Sequence, residues 1–163
     1  MTKTRVPTQK RSIEKREKIV KAGFDLFCEK GYYKTNTAEI AKYAGVSTGA
    51  LYSYFEDKRQ IFIEAFHQHI DTISSSLLQQ LANLSEALDL STFIEKWIEI
   101  YIDLYAKSNH ALVQLRLVIV DDEEVNHHFS DLEDTYFSNI ATILKARGII
   151  CDNQFEKIYI SCI

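Results

Sequence analysis

From Ile13 onward, apolar and small residues fall at Ile19, Val20, Gly23, Phe24, Leu26 and Phe27 with charges between them, the spacing of a helix that buries one face. Gly31 follows Lys30 and predicts a stop, because glycine readily takes the left-handed conformation at a helix C-terminus. Tyr32 to Thr35 then forms a short connector. Asn36-Thr37-Ala38-Glu39 reads as a capping box, with the Asn36 side chain accepting an amide hydrogen and Glu39 reaching back to the Asn36 amide. The helix it opens runs through Ile40, Ala41 and Ala44 and breaks at Gly45. Ser47 is a natural N-cap for a second short helix, Thr48 to Phe55. Two short capped helices across a glycine-containing turn make a helix-turn-helix over about residues 35–54.

A break at Glu56-Asp57 precedes a long pattern from Lys58 to Ala82, with Ile61, Phe62, Ala65, Phe66, Ile70, Ile73, Leu77, Leu78 and Leu81 on the apolar side. If continuous it spans roughly 37 Å, enough to begin in one domain and end in another. Further helical patterns cover Phe93 to Tyr105, Ala111 to about Val120, Leu132 to Gly148, and a last stretch from near Asp152 through Cys162. No repeat and no strand pattern is present, and one Pro and five Gly leave few breakers. The fold class expected is all-α.

Charge sharpens this picture. The net charge of −4 conceals a strong polarity. Residues 1–60 carry 13 Lys/Arg against 7 Asp/Glu, and residues 61–163 carry 6 against 16. A basic head on an acidic body suits a phosphate-binding module joined to a solubilising one. Residues 1–11, with four of those cations, read as a flexible tail. No run of about 18 apolar residues exists to span a bilayer, and no early apolar stretch resembles a signal peptide. Cys28, Cys151 and Cys162 form no CxxC pair and are odd in number, so neither a disulfide framework nor a zinc site is indicated. The expected location is the cytoplasm.

The second helix of such a motif lies in the major groove, so its first turn needs small or polar residues. Thr48, Gly49, Ala50 and Ser53 meet that demand: hydroxyls, a bare backbone, and a methyl that can meet a thymine methyl. Tyr52, Tyr54, Lys58 and the free amides near Asn36 and Thr37 are candidate phosphate donors. Lys58 opens the long helix, where a cation opposes the dipole; a phosphate partner would account for it. Phe55 is read as core.

Residues 13–62 closely resemble the N-terminal domain of the tetracycline-repressor (TetR) family. The stretches that carry the resemblance are Ala22 to Phe27, Lys30-Gly31-Tyr32, Thr35 to Ala41, Ala44 to Ser47, Gly49 to Phe55, and Lys58. The resemblance implies a two-fold homodimer reading a palindromic operator in double-stranded DNA. It places base contacts on Thr48, Gly49, Ala50 and Ser53, and phosphate contacts on Asn36, Thr37, Ser47, Tyr52, Tyr54 and Lys58. It also implies a domain plan: a helix-turn-helix domain over residues 12–57 and a helical effector-binding and dimerisation domain over 58–163. Two residues depart from the pattern, Thr37 in place of an apolar residue and Gly23 in place of alanine; close packing against another helix would explain Gly23. Family chains usually continue through two long helices, so a chain ending at Ile163 is expected to be a truncated form.

The resemblance puts a ligand pocket in the C-terminal region without assigning residues. Local candidates are Phe93, Trp97, Tyr101 and Tyr105 on one helix face, with Tyr136 and Phe137; a stripe of this kind is more often core than lining. Arg116 among Leu115, Leu117 and Val118 would suit an anionic ligand or an acidic partner. His127-His128 beside Glu123-Glu124 is weak as a metal site, because adjacent helical residues point about 100° apart. No cofactor and no catalytic constellation is expected. The function expected is a DNA-binding transcriptional repressor released by a small-molecule effector. The alternative is a DNA-binding regulator with no such effector, an activator or one controlled by a partner.

Overall fold

The computed structural model describes residues 10–84 and 89–146, apart from the side chains of Leu90 and Tyr105. All regular elements among them are helices: α1 (Lys10–Lys30), α2 (Thr37–Ala44), α3 (Thr48–Tyr52), α4 (Lys58–Ala82), α5 (Leu90–Asp121) and α6 (Glu123–Ala146). The all-α expectation holds. The helix anticipated from Asp152, and all but the last two residues of the expected tail, lie outside the described residues.

Local chemistry sets the N-terminal boundaries. α1 begins at Lys10, three residues before the start of the expected pattern, and ends where Gly31 takes φ 87° and donates its N–H to Phe27 O at 3.0 Å. The capping box of α2 is complete: Asn36 Oδ1 accepts from Glu39 N at 3.0 Å, and Asn36 N donates to Glu39 Oε2 at 3.4 Å. Gly45 ends α2 at φ 68°, with the Val46 N–H reaching Ala41 O at 2.9 Å. Ser47 Oγ caps α3 by accepting from Ala50 N at 3.2 Å. α3 stops at Tyr52 instead of running to Phe55. Ser53 Oγ donates to Ala50 O at 2.6 Å, and Tyr54 N and Phe55 N both converge on Leu51 O, closing the helix in a tight turn. Asp57 Oδ1 then caps α4 by accepting from Gln60 N at 2.9 Å.

Residues up to Ile70 together with Asn109–His128 form one compact unit, and Asp71–Ser108 with the described residues from Phe129 onward form another. The core of the first unit draws Ile19, Val20, Leu26 and Phe27 from α1, Ile40 from α2, Leu51 and Phe55 from around α3, and Ile61, Phe62 and Phe66 from α4. Its aromatic rings interlock: Phe27 meets Phe62 edge-on at 5.3 Å, and Phe62 stacks on Phe66 at 4.3 Å. Gly23 is explained by this packing. A Cβ there would lie 2.6 Å from Ile61 Cγ2, so only glycine lets α1 and α4 approach this closely. The second unit has its own core of Leu77, Leu81, Phe93, Ile140 and Leu144, with Trp97, Tyr136 and Phe137 packed against it.

Two expectations in the C-terminal half are corrected. The patterns 93–105 and 111–120 are one helix, α5, because the stretch from Ala106 to His110 contains no breaker. α6 begins at Glu123 and not at Leu132: Asp122 Oδ1 accepts from Val125 N at 3.2 Å, and Glu123 and Glu124 sit in the first turn, where the helix dipole favours anions. The acidic run is therefore the junction between α5 and α6.

Candidate nucleic-acid interface

The caps that shape α2 and α3 also decide what they expose. Leu51 and Phe55 are buried beneath α3, while Ser47, Thr48, Gly49, Tyr52 and Ser53 are exposed and Ala50 is half-buried. A Cβ built on Gly49 meets nothing within 4 Å, so the backbone of this turn faces open space. Asn36 is exposed at the start of α2, and Thr37 beside it is half-buried. Thr37 Oγ1 and Tyr52 OH share a hydrogen bond of 2.9 Å, which joins the opening of α2 to the end of α3. The structure thus brings Thr37 together with Tyr52 and presents the first turn of α3 to solvent.

Two of the sequence-predicted phosphate residues are turned elsewhere. Tyr54 is half-buried, and its hydroxyl meets Ser12 Oγ at 3.0 Å. Lys58 Nζ donates to Tyr32 O at 2.8 Å and Thr35 O at 3.0 Å and stands 4.1 Å from the centre of the Tyr32 ring. Two of its three N–H donors therefore serve the α1–α2 connector, and desolvation lowers its pKa. These contacts account for a cation in the first turn of α4 without a phosphate. Thr35, at the same connector, is buried, with its hydroxyl donating to Gly31 O at 2.9 Å.

Cations that periodicity did not single out remain exposed near these elements: Lys10 and Arg11 in the turn of α1 that holds Ser12, Lys34 two residues before the α2 cap, and Lys42 on α2. Their signal was the basic bias of the first sixty residues, which does not distinguish one lysine from another. Arg59 is committed elsewhere, with Nε 2.8 Å from Asp122 and a second ion pair to Glu124.

The pocket candidates divide. Phe93 is buried in the second unit's core, and Trp97, Tyr136 and Phe137 pack against that core. Tyr136 has a buried hydroxyl with no hydrogen-bond partner among the described residues, and burial raises its pKa. Tyr101 is exposed, and the side chain of Tyr105 lies outside the described residues. Arg116 is exposed and belongs to the first unit, with no ion pair among the described residues. His128, one of the two adjacent histidines that read as a weak metal site, is hydrogen-bonded to His67, Nε2 to Nδ1 at 2.8 Å.

Residues 19–65 match the model of the bacterial regulatory proteins, tetR family. This segment is similar to the members of that family. Among relatives, the HTH-type transcriptional regulator HbdR of Aromatoleum sp. (strain CIB) is 37% identical over 76 residues, covering 47% of this chain and 33% of HbdR. The matched stretch spans a third or less of the first curated relatives. Among solved structures, a Mesorhizobium loti MAFF303099 protein assigned to the TetR family superposes with TM-score 0.72 at 22% identity, over 86% of this chain and 72% of that one. Thermus thermophilus FadR, a TetR-family repressor crystallised with lauroyl-CoA, superposes with TM-score 0.60 at 21% identity, over 85% and 71% of the two chains. These likenesses establish that the TetR-type helical fold extends beyond the domain carrying α1 to α3. No helix among the described residues is long and apolar enough to cross a membrane.

Proposed function

We propose that the chain is a sequence-specific DNA-binding transcriptional regulator in which the first turn of α3 reads base edges in the major groove. The observation that carries this reading is the exposed Ser47-Thr48-Gly49 turn, held by its cap over buried Leu51, inside a segment similar to the TetR family. Thr48, Gly49, Ala50 and Ser53 take the bases. Asn36, Thr37, Ser47 and Tyr52 take phosphates, with the α2 N-terminal amides beside them. Tyr54 and Lys58 act chiefly by holding α1 and the connector in register for those contacts.

The proposed division of labour is a helix-turn-helix domain over 12–57 and an effector-binding and dimerisation domain over 58–163, working in the cytoplasm as a homodimer on a palindromic operator. The role is binding, not catalysis. Release by a small molecule is supported by the lauroyl-CoA complex of the Thermus relative. An effector with an apolar body and one polar group suits the aromatic surroundings and unpartnered hydroxyl of Tyr136. One observation favours regulation without an effector: Phe93 lies within the core, and Trp97 and Phe137 pack against it.

Selection of bound duplexes from random-sequence DNA tests the reading. A two-fold symmetric motif should emerge, and Thr48→Ala and Ser53→Ala should each shift base preference, by about 1–3 kcal/mol for a contacted base pair. Recovery of no enriched motif, with affinity indifferent to substitutions at Thr48 and Ser53, would overturn it.

A further inference from the structure

Behind α3, on the first unit, lies a surface cavity of about 460 Å³ whose lining includes Arg16 of α1, Glu64 and His67 of α4, and His128 of α6. Arg16 pairs with Glu64 and lies over the Phe55 ring, 4.7 Å from its centre. Beyond that ion pair, the two imidazoles meet directly, with ring centres 5.0 Å apart and His67 Nδ1 2.8 Å from His128 Nε2. Both rings are half-buried. One N–H can lie between two ring nitrogens at that distance, and two cannot. The pair therefore exists while at least one ring is neutral, and a second proton turns a donor–acceptor contact into two opposed N–H groups on cations.

Charged groups lie along each of the elements that carry or pack against the pair. On the α4 side, Glu64 stands one turn before His67; its carboxylate pairs with Arg16 and is also attracted by a charged His67. From α1, Arg16 brings a cation into the same cavity. At the α5–α6 junction, Asp122 and Glu124 are held by Arg59, and Asp121 accepts from Tyr33 OH at 2.7 Å. On α6 itself, His127 precedes His128 and Asp131 follows one turn later, both exposed. His69, two residues further along α4, packs against the Phe24 ring at 4.7 Å and responds to acid separately.

We propose that His67 and His128 form a proton-operated clasp that ties α4 to the start of α6 near neutral pH and opens in mild acid. α4 begins at the connector that Lys58 fixes, so opening the clasp frees the helix that supports the DNA-reading face. The consequence for DNA rests on the function proposed above; the clasp itself does not.

The test compares the wild type with His67→Gln and His128→Gln. A glutamine carbonyl accepts from a charged imidazole, so these variants can keep a bond in acid while leaving Arg16, Glu64 and His69 in place. Ring-nitrogen NMR titration of the wild type should show the two histidines titrating in two separated, coupled steps. Each variant should show its remaining ring titrating in a single step. Affinity for a duplex recovered by random-sequence selection should fall about tenfold more in the wild type than in either variant between pH 7.5 and 5.5, within the usual range of coupling between sites. Independent single-step titration of the two wild-type rings overturns the clasp, and an equal loss of affinity in wild type and variants overturns its effect on DNA. If no duplex is bound at pH 7.5, the DNA reading has failed, and the NMR titration alone decides whether the clasp stands.

Discussion

Gly23→Ala sets two effects of known size against each other. In a solvent-exposed helix interior this change stabilises by about 1 kcal/mol, because alanine restricts the unfolded backbone and favours the helix. Here the added methyl meets Ile61 Cγ2 at 2.6 Å and Phe27 Cε2 at 3.3 Å. Ile61 is fully buried, and its Cγ2 hangs from a β-branched carbon whose χ1 has one strongly preferred well in a helix. It cannot swing aside, so α1 and α4 must separate or a rotamer must strain, at about 1–3 kcal/mol. The overpacking outweighs the helix gain, leaving a net loss of about 1 kcal/mol. For a chain of this size that lowers the melting temperature by about 2–4 °C. Urea unfolding followed by circular dichroism should show a lower midpoint at unchanged slope. The double variant Gly23→Ala/Ile61→Leu locates the effect, since leucine removes the branch at Cβ. In the Ile61→Leu background, Gly23→Ala should be neutral or stabilising. A melting temperature that rises in the single variant would refute the reasoning, because it would mean that α1 and α4 have room for the methyl.

Lys58→Met should lower stability by about 1.5–3 kcal/mol, because it removes charged donors from two connector carbonyls. The slope of log affinity against log salt should change by less than the roughly 0.9 expected for one direct phosphate contact; a full change with unaltered stability would put Lys58 on the DNA instead. Burial, and secondarily Asp25, pushes the Cys28 thiol up to about 11, so peptide mapping after brief iodoacetamide treatment at pH 8 should find it largely unmodified. Burial lowers the His69 pKa below the ordinary 6.5, so the stability that neutral His69 permits is full above about pH 6.5 and declines as the pH falls. His69→Phe should flatten the decline in melting temperature between pH 6.5 and 5.

What could be read in the sequence was whatever depends on neighbours within a few residues. Asn36 with Glu39, Ser47 with Ala50, and the two left-handed glycines Gly31 and Gly45 are complete within one helical turn, and the structure realises all of them. Glycine at position 23 was legible as an anomaly, though its cause, Ile61, lies a helix away. Contacts between distant residues were not legible. Lys58 turns to carbonyls 26 and 23 residues earlier in the chain, and no local pattern distinguishes that from a phosphate contact. His67 and His128 are 61 residues apart, so the periodicity that placed each on a helix was silent about their meeting. The joining of two patterns into α5 was hidden because Lys107, Ser108 and Asn109 resemble a connection by polarity while being compatible with a helix. Aromatic spacing found Phe93, Trp97, Tyr136 and Phe137, yet the same spacing serves a filled core and the wall of a pocket.

The bond between Thr37 and Tyr52 has a consequence for the free protein. An exposed tyrosine would ordinarily sample several rotamers, and immobilising one on association costs about 0.5–1.5 kcal/mol. Here the two hydroxyls satisfy each other at 2.9 Å before any partner arrives, so the ring is preorganised at the mouth of the turn. A methyl in place of the Thr37 hydroxyl would leave the phenol intact but let it wander, and the penalty would appear as slower capture of DNA.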